Sequence, residues 1–69
     1  MSYYTEILEM RMKVRAIIKG MVDGIHKDDI IFDILNQYAI GKKPVLDWIN
    51  ILITSKKIEE KEGLLFWKE

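Results

Sequence analysis

Reactive side chains are few in this sequence, and their spacing limits the chemistry open to them. His26 is the single histidine, and Asp23, Asp28 and Asp29 stand close to it along the chain. Imidazole with carboxylates is a donor set that a divalent metal would accept. The local pattern favours a plainer role, because His26 directly precedes a segment that opens with two aspartates, where a helix cap is expected and Ser or Thr is usual. His26 is therefore read as a surface residue or an imperfect cap, and no metal is expected. The chain has no cysteine, which excludes disulfides and thiolate cages. Ser2 and Ser55 have no base nearby in sequence, and no glycine-rich phosphate loop is present. The carboxylate pairs Asp28/Asp29 and Glu59/Glu60 are adjacent in sequence, so on a helix or strand their members point apart and share no acid–base site. No catalytic residue and no cofactor are expected, and the chain is not read as an enzyme.

The remaining chemistry is that of binding. The 69 residues carry 11 basic and 11 acidic groups, for a formal net charge of zero. Along the chain the balance is uneven: the first 22 residues are net positive, residues 23–40 are net negative, and the remainder is slightly positive. That distribution excludes a polycationic or acidic tail as the whole of the molecule. An apolar fraction of 49% fits a globular domain. Twelve isoleucines and nine lysines against two arginines and one glutamine give a thermophile-like composition. No apolar run approaches the ~20 residues that cross a bilayer, and no basic stretch leads into an apolar one at the start. A soluble, cytoplasmic protein is expected, without membrane association.

The elements that must position these groups follow from hydrophobic period. Tyr3, Ile7, Met10, Val14, Ile17 and Met21 step by four and three, marking one stripe of a first helix over about 3–20. Gly20 weakens its end, and Asp23-Gly24 marks the turn that stops it. A second helix is expected over about 27–38, with Ile30, Ile31, Ile34, Leu35 and Tyr38 buried, Phe32 at the boundary of that stripe, and Asp28 and Asp29 at the positive end of the helix dipole. Residues 39–43 read as a connection. Pro44 suits the first turn of a third helix over about 44–55, whose inward row is Val45, Ile49 and Leu52. Ile58-Glu59-Glu60 and Leu64-Leu65-Phe66-Trp67 read as two strands around a three-residue turn, Lys61-Glu62-Gly63, giving a hairpin over about 57–67. The whole is one domain, 1–69.

Three helices followed by a β-hairpin, with Ile40, Val45, Ile49, Leu52 and Ile58 in register, resemble the winged helix-turn-helix family. The Gly24-Ile25 stretch resembles the short first strand that joins the wing in a three-stranded sheet. The implied fold class is α+β, mainly α: a three-helix winged helix-turn-helix with a C-terminal β-hairpin wing. The sequence departs from the family pattern in carrying Lys56 where glycine is common after the third helix, in its very short wing, and in the unusual outward residues of that helix.

The resemblance implies double-stranded DNA as partner, with the third helix in the major groove and a role in transcription regulation. The residues so placed are Lys42, Lys43, Leu46, Asp47 and Asn50. The lysines would meet phosphates, Asn50 an adenine edge and Leu46 a thymine methyl, while Asp47 would be repelled by phosphate unless it accepted from a cytosine amine. Lys56 and Lys57, with Arg11 and Arg15 on the first helix, would add backbone contacts. The hairpin itself, with Glu59, Glu60 and Glu62, is acidic. Large apolar residues outnumber what one small core hides, so a homodimer is expected through Tyr3, Ile7 and Met10, through Leu65 and Trp67, or both. Trp48 is expected to pack under the wing. The competing reading is a winged-helix protein–protein interaction module that docks a partner through its third helix and wing.

Overall fold

The computed structural model describes residues 3–68, with the side chain of Tyr3 outside the described residues. Helix α1 spans Tyr3–Gly20, α2 Lys27–Tyr38 and α3 Lys42–Thr54; strands β1 Ile25–His26, β2 Ile58–Lys61 and β3 Leu64–Trp67 form one antiparallel sheet in the order β1-β3-β2. The fold is α+β, mainly α, and winged-helix-like in its element order. The short first strand expected at Gly24-Ile25 is β1, one residue later at Ile25–His26, and its partner is the last strand, with Ile25 opposite Leu65.

One core joins all the layers. Met10, Val14 and Ile18 from α1 meet Ile30 and Ile34 from α2, Val45, Ile49 and Leu52 from α3, and Ile40, Ile58 and Leu65. The α3 inward row and the positions of Ile40 and Ile58 match the sequence spacing. The α1 stripe does not hold to its end. Steps averaging 3.5 residues drift against a helix of about 3.6 per turn. The third buried position is Ile18, Ile17 only flanks the core, and Met21 lies beyond the helix and is exposed. Leu35, expected inside, is 49% exposed, and Phe32 is 66% exposed. At about 100° per residue, Leu35 lies roughly 140° round α2 from Ile30, well off the inward arc.

Two connections are tighter than the sequence suggests. Helix α3 begins at Lys42, capped by Gly41, so Lys42 and Lys43 belong to its first turn. The link from α2 is only Ala39-Ile40-Gly41, and Ala39 takes a left-handed φ of 55° to close it. The hairpin turn is two residues, Glu62 and Gly63, with Lys61 opposite Leu64. Their φ values of 53° and 80° are those of a type I′ turn, whose twist matches the strands it joins. Between β1 and the end of α1, Gly24 holds φ 91° with the Phe66 ring against it; a β-carbon there would stand 2.8 Å from Phe66 Cζ.

Strand β3 separates its two apolar pairs by face. Leu65 is fully buried and Trp67 packs against the core beside it, while Leu64 and Phe66 lie half-buried on the other face. The alternation of strand side chains makes one pair internal, and the α1–β3 packing selects Leu65/Trp67.

Candidate nucleic-acid interface

The free surface of α3 follows from its buried row. With Val45, Ile49 and Leu52 inward, helical geometry sends Lys43, Asp47, Asn50 and Thr54 to the opposite arc, and all four are exposed. Thr54 was not among the residues expected there, although its position four after Asn50 carries the signal. Leu46 sits on the shoulder of this arc, half-buried. Lys42 and Lys43 place two cations at the helix end that already carries partial positive charge, and no acidic residue offsets them in that turn. This arrangement costs helix stability and concentrates positive potential at one spot.

Arg11 and Arg15 lie on the side of α1 that faces α3 and β3. The Arg11 guanidinium carbon stands 4.9 Å from the Trp48 ring centroid, and that of Arg15 stands 5.7 Å from the Trp67 ring centroid. Lys19 continues the same row, one turn further on, with Nζ 5.9 Å from the Trp67 centroid. Trp48 thus packs against α1 and Arg11, which corrects its expected place under the hairpin. Its indole N–H is buried without an acceptor.

The strand register brings further cations to the same edge. Trp67 is opposite Ile58, and the Lys68 N–H donates to the Lys57 carbonyl at 3.0 Å, so Lys57 and Lys68 lie side by side one step beyond that pair. Lys56 precedes them in a Schellman turn: its N–H donates to the Ile53 carbonyl and that of Lys57 to the Leu52 carbonyl, each at 3.0 Å. The structure therefore lines Arg11, Arg15 and Lys19 along α1 over Trp48 and Trp67, and sets Lys57 beside Lys68 at the end of the hairpin, with Lys56 in the turn before them. The two additions, Lys19 and Lys68, carry ordinary surface-lysine signals in sequence; only the fold sets Lys19 beside Trp67 and Lys68 beside Lys57. Acidic groups occupy other places. Glu60 pairs with Lys27 at 2.8 Å, Glu59 lies 3.9 Å from Lys61, and Asp28 and Asp29 are exposed at the start of α2. Asp47 is the acid that remains on the α3 arc.

The expected interface residues sort differently. Met10 and Leu65 are core residues of this chain, 1% and 0% exposed, so neither is presented to a partner. Ile7 and Trp67 are partly covered by the same core, and Tyr3 falls outside the described side chains. The exposed apolar row on α1 is instead Tyr4, Leu8 and Met12, at 81%, 52% and 65% exposure. Its four-residue steps were legible in sequence but lay beside the stronger core stripe. His26 is exposed and makes no side-chain capping bond to α2. Among the described residues no group of three or more His, Cys, Asp or Glu side chains is placed to hold a metal ion, and no helix is long and apolar enough to cross a membrane.

No family model, no curated protein and no solved structure matches the chain.

Proposed function

We propose that the chain is a winged-helix protein that binds double-stranded DNA, acting as a transcriptional regulator. Helix α3 would enter the major groove by its outer arc, with Lys42 and Lys43 on phosphate and Asn50 and Leu46 against base edges. Arg11, Arg15, Lys19, Lys56, Lys57 and Lys68 would grip the flanking backbone. The observation that supports this reading most is the basic row of α1, Arg11, Arg15 and Lys19, set over Trp48 and Trp67 next to a helix whose free arc is polar. Net neutrality does not oppose it, because the acidic groups lie mostly on α2 and the hairpin.

The test is fluorescence anisotropy against random and AT-rich duplexes over a salt series. Binding should weaken linearly on a log–log plot, by about 0.9 per phosphate neutralised. An R15Q/K57Q double variant should flatten that slope by roughly 2. Absence of binding at micromolar protein in low salt would overturn the proposal.

Two half-sites would require a dimer, and Tyr4, Leu8 and Met12 support α1 as its seam. The same row supports the second reading, a protein-docking module, with α1 in place of the hairpin as the docking element. Light scattering separates them: a dimer that L8E converts to a monomer supports the first, and a wild-type monomer that fails to bind DNA supports the second.

A further inference from the structure

Between α1 and the first half of α3 lies a groove of about 380 Å³ lined by Ile7, Met10, Arg11, Lys43, Pro44, Asp47, Trp48 and Ile51. Its volume falls in the range of small-molecule sites. Apolar groups make most of its walls, and Ile51 is 47% exposed there without a partner. Two cations stand at its rim, and Arg11 is held against the Trp48 ring in a fixed position. Trp48 Nε1 is the one buried side-chain nitrogen or oxygen without a hydrogen-bond partner among the described residues. Asp47 shares the groove, yet no ion pair within 4 Å joins it to Arg11 or Lys43 among the described residues. Both cations are free to take an anion.

We infer that this groove is a binding site for a small amphipathic carboxylate. The apolar part of the ligand lies on Ile7, Met10, Pro44 and Ile51. Its carboxylate accepts charge-assisted hydrogen bonds from Arg11 and Lys43 at the rim. The ligand is recognised by having both halves: acetate lacks the apolar part, and a fatty alcohol lacks the charge. The site shares Arg11 and Lys43 with the proposed DNA contacts, but its recognition of a carboxylate does not rest on that reading.

The experiment is a titration of the whole chain with octanoate, following the Trp48 indole N–H resonance by NMR, with Trp67 as internal reference. The Trp48 signal should shift saturably while acetate, octanol and octylammonium leave it nearly unmoved. R11Q should weaken octanoate binding about tenfold, the loss of one charge-assisted contact. K43Q changes an exposed residue that packs on nothing in the core, and it should weaken binding similarly in a protein with an unaltered spectrum elsewhere. No saturable shift up to roughly 10 mM octanoate, the weak limit for a built site, would overturn the inference. So would equal shifts from octylammonium, or wild-type affinity in K43Q.

Discussion

Lys56 holds a φ of 62°, a conformation in which a β-carbon crowds the following carbonyl. The Schellman turn requires it, because the reversal from α3 into β2 is what delivers Ile58 to the core. Lysine therefore occupies a site that glycine fits better, and Ala39 does the same after α2. K56G and A39G are each predicted to raise stability by about 1 kcal/mol, read as an increase in Tm of roughly 4–8 °C for a chain this small. A fall in Tm would show that the replaced side chains contribute more than the strain costs. K56G carries a second expectation, since it also removes a cation: DNA affinity should drop while stability rises. His26 offers a comparable gain. It stands at the N-cap of α2 without a capping bond, so H26D should add about 0.5–2 kcal/mol by supplying an acceptor to the first-turn N–H groups. Gly24 is the opposite case. Its φ and the Phe66 ring leave no room for a β-carbon, and G24A should destabilise by more than either glycine substitution gains.

At the scale of elements, the decisive contrast is between apolar residues that hold the fold and those that do not. L65D places a carboxylate in the fully buried centre of β3 and should leave the chain unfolded by circular dichroism. L8E alters an exposed turn of α1 and should retain the wild-type spectrum, whatever it does to self-association. A folded L65D would contradict the placement of the sheet against α1. This contrast also explains what was legible in sequence. Element order, the α3 inward row and the register from Ile40 to Ile58 could be read because core positions repeat at the helical period. The facing of β3 could not, because Leu64/Phe66 and Leu65/Trp67 are equally apolar and only the packing of α1 distinguishes them. For the same reason Leu65 and Met10 were placed at an interface that they do not reach. The candidate binding residues were named correctly as surface cations on α1 and after α3. The approach of Arg15 and Lys19 to Trp67 depends on the packing of α1 against β3, which no local pattern encodes.

Across the whole molecule, charge is segregated although its sum is zero. Asp28 and Asp29 open α2, whereas the basic row follows the α1 edge and the end of β3. Screening reaches about 8 Å at physiological ionic strength, so the two groups should act almost independently there. A D28N/D29N variant is predicted to change DNA affinity little at moderate salt and to raise it as salt is lowered; an equal gain at all salt concentrations would place the aspartates at the interface itself. The sheet order bears on how the molecule assembles in time. The β2–β3 hairpin closes over two residues, whereas Ile25 and Leu65 meet across about forty positions. Loop-closure cost makes the local pairing the cheaper first step. Changes in the Glu62-Gly63 turn should therefore alter the rate of folding, and truncations at Ile25 should mainly speed unfolding. A chevron in which I25A slows folding in proportion to its full loss of stability would reverse that order, making β1 part of the nucleus.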